Sequence, residues 1–171
     1  MRGQWKFPLS HVKTYGFYIL LDILLYMWIK DPIDLIYFEH CVLRVRYSIG
    51  LSLLNDDEKN AINVIMTTHD FVVNWHAKIE DKYIFPLFGE KAKPYSNDHL
   101  LIERYGNSAI QQRNVEWIKR YVKIVLDHNL NEERNIFIDK VQAKDIMNAI
   151  LKEMRNYPSY EEITGLKIDF E

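Results

Sequence analysis

The sequence predicts an all-α protein: an up-down-up-down four-helix bundle with an extra helix at each end. Three observations predict it. Glycine and proline are sparse, 6 and 5 of 171 residues, so few positions break a helix. No segment sustains the alternation of a half-buried strand, whereas apolar residues recur at steps of three and four along the chain. Four such stripes are joined by short links, and helices joined that way pack most readily as antiparallel neighbours.

The length suits one domain with extensions: an N-terminal helical extension over 1–31, the bundle over 32–139, and a C-terminal helix and tail over 140–171. The first segment holds an apolar run, Phe17 to Ile29, interrupted by Asp22. It is shorter than the roughly 20 residues of a membrane span. It also ends in Trp28-Ile29-Lys30-Asp31, without the small residues of a signal-peptide cleavage site. It reads as a buried or partner-facing helix, and so as the face of a homodimer.

The first bundle helix starts at Asp31-Pro32, with proline where a helix tolerates it best. Ile33, Ile36, His40, Leu43, Tyr47, Leu51 and Leu54 mark its inner face. Asn55-Asp56-Asp57-Glu58 interrupts it and offers caps to the second helix. That helix carries Ile62, Ile65, His69, Val72, His76, Ile79 and Tyr83 on one stripe, and Pro86, Gly89 and Pro94 mark the next connection. The third helix is expected to start near Ser96-Asn97-Asp98 and to end near Gly106-Asn107-Ser108. The fourth shows Val115, Ile118, Val122, Val125, His128, Glu132 and Ile136. A fifth, with Ile146, Ile150, Leu151 and Met154, ends before Tyr157-Pro158, and the polar tail beyond is expected to be loosely held.

Composition narrows the function by exclusion. Apolar residues at 48% and charged residues at 27% are ordinary for a globular protein. A net charge of −2 leaves no electrostatic footprint for nucleic acid or an anionic membrane. One cysteine, Cys41, permits no internal disulfide and suits a reducing cytoplasm; it reads as a packing residue.

The histidines are more informative. His40 falls early in the first helix and His76 late in the second; His99 opens the third and His128 falls late in the fourth. An up-down path therefore returns all four imidazoles to one end of the bundle, on inward stripes. His76-Ala-Lys-Ile-Glu80 and His128-Asn-Leu-Asn-Glu132 each add a carboxylate one turn along the same face. The surroundings match too: Glu80-Asp81 precedes Ile84-Phe85-Pro86, Glu132-Glu133 precedes Ile136-Phe137, and His40 and His99 both follow an acid, Glu39 and Asp98. The chain reads as two diverged helix-pair repeats, each giving His and then His-x-x-x-Glu.

Carboxylates buried without partners are expensive, and cations remove that cost. Mixed imidazole and carboxylate donors without thiolate suit iron, manganese or zinc. Six or seven ligands exceed one tetrahedral zinc and fit two octahedral or five-coordinate ions bridged by carboxylate. His69, seven residues before His76, lies about 10 Å along the axis and reads as a core or channel histidine.

On these motifs, from Pro32 to Asp139, the sequence resembles the hemerythrin-like, His-His-Glu cation-binding family. The resemblance implies an up-down bundle with a carboxylate-bridged centre of two iron ions. His40, His76, His99 and His128 would be terminal ligands, and Glu80 and Glu132 bridges; manganese or zinc are the alternative metals. Dioxygen, or another diatomic or peroxide, would be the small-molecule partner, bound or sensed rather than turned over. The competing readings are an enzyme that reduces peroxide or nitric oxide at the same centre, and an interaction module with a structural metal. Hemerythrins proper place a fifth histidine four residues after the one on the third helix. Here that position is Glu103, left open between a metal ligand and a solvent-facing ion pair. The second carboxylate also falls four residues after His128 rather than the five of true hemerythrins, which makes Glu133 the alternative to Glu132.

Overall fold

The computed structural model of the chain describes Ile29, residues 31–138 and residues 144–166. Helix α1, Pro32–Leu53, starts because Asp31 caps it: its carboxylate accepts the N–H groups of Ile33 at 2.9 Å and Asp34 at 3.0 Å. Asp57 caps α2, Glu58–Phe71, by accepting the N–H of Asn60. The axis of α2 continues through a π-helical segment, Val72–His76, an α-helical turn, Ala77–Ile79, and a second π segment, Glu80–Ile84. Two 3-10 turns, Phe85–Leu87 and Gly89–Ala92, lead into α3, Lys93–Gln112. Asn114 caps α4, Val115–Asn135, by accepting the N–H of Trp117 at 3.0 Å. Helices α5, Lys144–Met154, and α6, Tyr160–Thr164, complete the described chain, which contains no strand.

Packing follows the stripes. α1 packs chiefly on α2 and α3 on α4, while α4 also meets α1 and α2 also meets α3. The four long helices thus share one core, in which Ile36, Leu43, Ile65, Ile102, Ile118 and Val125 are all but fully buried. Among the described residues no helix is long and apolar enough to cross a membrane. The predicted helix over Phe17 to Ile29, with its homodimer face, lies outside the described residues except for Ile29, which packs on the core.

Two expectations are corrected. The third helix starts at Lys93 and runs through Gly106-Asn107-Ser108 to Gln112. Pro94 is accommodated in its first turn, where no helical hydrogen bond is lost, and Gly106 is there for space rather than as a stop. A Cβ at Gly106 would lie 2.6 Å from His69 Nδ1 and 2.7 Å from Tyr121 Cε2. Gly→Ala inside a helix ordinarily stabilises by about 1 kcal/mol. Gly106→Ala is expected to do the reverse and destabilise by about 1–3 kcal/mol through overpacking, read as a lower urea midpoint with unchanged m-value.

The second correction concerns the tail. Tyr160, Ile163 and Leu166 are buried against the core, and α6 touches both α1 and α2. The polar composition concealed three anchors spaced at three residues, and only their contacts reveal them.

Candidate metal centre

The stripes of four helices deliver six donor residues to one point. Each carboxylate reaches the Nε2 atoms of three histidines. Glu80 stands 3.6 Å from His40, 3.5 Å from His76 and 3.3 Å from His99. Glu132 stands 3.5 Å from His40, 4.0 Å from His99 and 3.0 Å from His128. The donor atoms fall into two overlapping groups, His40-His76-Glu80 and Glu80-His99-His128-Glu132, and within each group all lie within 4.8 Å of one another. Cis ligands about 2.1 Å from one octahedral ion stand roughly 3 Å apart, so these separations fit cations placed between nitrogen and oxygen.

All four Nε2 atoms, with both oxygens of Glu80 and of Glu132, are buried without a hydrogen-bond partner. Native interiors leave very few polar groups in that condition. Eight at one point form a donor set that could hold a metal ion.

Three of the opposite ring nitrogens are held from outside by hydrogen bonds, and the fourth faces an acid at longer range. His76 Nδ1 lies 2.8 Å from Glu39 and His40 Nδ1 lies 2.9 Å from Glu133. His99 Nδ1 lies 3.1 Å from Asp81, whereas His128 Nδ1 makes no hydrogen bond and stands 3.5 Å from Asp98. On His40, His76 and His99 these outer carboxylates fix the tautomer that presents Nε2 inward. The pattern repeats with the sequence. The acid before each leading histidine, Glu39 or Asp98, serves the histidine of the next helix, His76 or His128. The acid after each inner glutamate, Asp81 or Glu133, serves the leading histidine of the other repeat, His99 or His40. The ring pairs match as well: His40 and His76 lie 4.9 Å apart at 66°, His99 and His128 4.9 Å apart at 67°. Phe85, five residues after Glu80, stacks on His99 at 5.3 Å, and Phe137, five after Glu132, lies 6.2 Å from His40.

The two halves differ in their cover. Glu39 is fully buried and also accepts hydrogen bonds from Trp75 Nε1 at 2.9 Å and the Tyr160 hydroxyl at 2.9 Å. Its counterpart Asp98 is 51% exposed. Tyr160→Phe removes a donor from Glu39 and so loosens His76; metal affinity is expected to fall about tenfold, measured by competition with a chromophoric chelator.

Six of the seven residues predicted from sequence are brought together; Glu103 is not. It is exposed, because the buried stripe of α3 runs through His99, Ile102, Gly106 and Ala109 and leaves Glu103 on its solvent side. Glu132 takes the inner position, while Glu133 binds His40 and Arg44 from outside. Cys41 is exposed rather than packed. In the sequence Glu39, Asp98, Asp81 and Glu133 stand as matching neighbours that no period assigns to particular histidines. Their signal was the repeat itself. Tyr160 left none.

The π segments explain the second helix. An i→i+5 turn takes in one extra residue and rotates the residues beyond it back by about 100°. Trp75 and His76 are consequently both buried, as are Ile79 and Glu80, while Tyr83 swings outward to donate to Glu153 at 2.8 Å.

The buried imidazoles and carboxylates also set one another's charge. Burial acts to lower the His40 pKa, but Glu133, Glu80 and Glu132 outweigh it and raise the group to about 9. Burial likewise opposes, and Asp81 and Glu80 overcome it, in raising His99 to about 10. Burial would raise the Glu80 carboxyl, yet His76, His40 and His99 hold it well below the ordinary range. His40 and His99 therefore carry protons at neutral pH.

No protein-family model, curated protein or solved structure matches the chain.

Proposed function

We propose that the chain is an up-down-up-down four-helix bundle of hemerythrin type that holds a carboxylate-bridged pair of iron ions and binds or senses dioxygen there. One observation carries the reading: eight inward donor atoms of six buried residues, none with a hydrogen-bond partner, backed by a carboxylate on every histidine. His40 and His76 would hold one ion, His99 and His128 the other, with Glu80 and Glu132 between them. Donors of this kind without thiolate suit iron, and the motif resemblance selects it over manganese or zinc. Two iron ions so held supply electrons and open coordination positions for a diatomic ligand.

The chain's own residues do the rest. Glu133, Glu39 and Asp81 keep the imidazoles of His40, His76 and His99 oriented and electron-rich, which favours the ferric state. Phe71, stacked on His76 at 6.4 Å, together with Phe85 and Phe137, lines the histidines with apolar surface and excludes water. Arg44 binds Glu133 and offsets part of the outer negative charge.

Metal analysis of anaerobically purified protein, with absorption spectra before and after air, tests the proposal. Two irons per chain and a new charge-transfer band on oxygenation are expected. Metal-free protein of full helicity that takes up no added ferrous ion would overturn it. Chelation should leave a helical protein; unfolding on metal loss would assign the metal a structural role instead.

A further inference from the structure

Seven residues from each inward histidine, towards the other end of the helices, stands a second layer. Tyr47 follows His40 by seven, His69 precedes His76 by seven, Gly106 follows His99 by seven and Tyr121 precedes His128 by seven. Seven residues are two helical turns, about 10 Å. Leu43, Val72, Ile102 and Val125 lie between the layers, each at most 2% exposed, and keep the gap dry.

The second layer is a hydrogen-bonded line. The Tyr47 and Tyr121 hydroxyls meet at 2.8 Å, Tyr121 meets His69 Nδ1 at 2.6 Å, and His69 Nε2 meets Asn107 Oδ1 at 3.1 Å. Its direction follows from one end. Asn107 Oδ1 only accepts, so Nε2 carries the ring proton and Nδ1 presents a lone pair. Tyr121 therefore donates to Nδ1 and its oxygen accepts from Tyr47. Burial lowers the His69 pKa against the opposing pull of Asn107, Asp70 and Glu103, which favours the neutral ring. Both tyrosines are fully buried, whereas Asn107 is exposed, so the line leads outward. Gly106 provides the room, since a Cβ there would press on both His69 and Tyr121.

A phenol gives up an electron most readily when a neutral base already holds its proton by hydrogen bond. We propose that Tyr121 is a one-electron donor to the metal centre and that His69 accepts its proton. The step rests on the di-iron reading and takes hydrogen peroxide as oxidant. Reducing peroxide to two waters requires two electrons and two protons. One ferrous ion becomes ferric and gives the first electron; Tyr121 gives the second. Its O–H bond breaks, the proton binds His69 Nδ1, and a neutral phenoxyl radical remains, accepting the Tyr47 hydrogen bond. Solvent supplies the two protons of the waters. His69 is a positioning residue and proton acceptor that never touches the metal.

The experiment adds hydrogen peroxide to anaerobic, ferrous-loaded protein, freezes it within seconds and records the EPR spectrum, after iron content and helicity have been measured for each variant. An organic radical is expected whose hyperfine structure collapses when the chain is made with ring-deuterated tyrosine. It should vanish in Tyr121→Phe and persist in Tyr47→Phe, and in Tyr160→Phe, which holds less metal, the radical per bound iron should be unchanged. His69→Gln, which keeps a polar side chain but no proton-accepting nitrogen, should cut the radical yield at least tenfold. Should Tyr121→Phe not fold, a ring-fluorinated tyrosine at position 121 replaces it: fluorine splitting supports the assignment, and an unsplit signal overturns it. Iron-loaded protein without a radical, or a radical lost with Tyr160 instead of Tyr121, overturns this inference alone. Failure to bind iron overturns the di-iron reading with it.

Discussion

Glu80→Gln is expected to reduce the bound metal from two ions per chain to one or none, with affinity falling more than about 100-fold. Losing a group that only orients a ligand costs roughly 10–100-fold, and Glu80 stands closer to the centre than any such group. Its oxygens face His40, His76 and His99, so it serves both groups of donors. The amide keeps the shape but has one ligating oxygen, no charge and an NH2 group that turns its hydrogens on the cation. Metal content by mass spectrometry, with helicity by circular dichroism, reads the outcome. Glu103→Gln is the paired control. That residue is exposed and outside both donor groups, so its variant should keep two ions. Full occupancy in Glu80→Gln would remove the bridge from the site, and metal loss in Glu103→Gln would return that residue to it.

Metal affinity should climb steeply with pH. In the metal-free protein His40 titrates at about 9 and His99 at about 10, both raised by carboxylates that burial alone does not outweigh. Both rings are therefore protonated at pH 7 and must lose a proton before Nε2 can bind a cation. Each displaced proton makes the apparent affinity rise about tenfold per pH unit below these values. Two protons give up to about 100-fold per unit between pH 6 and 8. Zinc titrations at several pH values, with proton release followed in weakly buffered solution, measure both quantities. Affinity independent of pH would contradict it.

The same groups set the stability of the metal-free protein, with the opposite trend. A histidine whose folded pKa is raised contributes stability that is fully present below its unfolded value near 6.5. That contribution fades as pH rises towards 9 and 10, where the folded groups lose their protons. Thermal unfolding of chelated protein should therefore shift to lower temperature between pH 7 and 10, and bound metal should abolish the shift.

Most of the candidate centre was legible before any coordinates, because its parts are periodic. His76 with Glu80, and His128 with Glu132, are one turn apart on one helix, and helical spacing alone aligns them. The repeat also assigned His40 and His99 to the same end of the chain's up-down path. Glu103 was not decidable that way. Four residues after His99 it lies near the same face, and only the packing of Ile102 into the core shows it turned to solvent. Glu133 against Glu132 was ambiguous for the same reason, since neighbours on a helix differ by about 100° and either could face inward.

The amino-acid sequence by itself determined that the described chain is helical, most of the residues that bury along its long helices, and which nitrogen and oxygen donors lie among them, since each depends on neighbours within a turn or two. The tertiary structure alone decided which acid holds which histidine, where the second helix widens into π turns, and that Tyr160 reaches back to Glu39 from the C-terminal segment. Its hydrogen bonds there join residues from 18 to 121 positions apart. They follow from how helices lean on one another in space, and no period along a single helix records that.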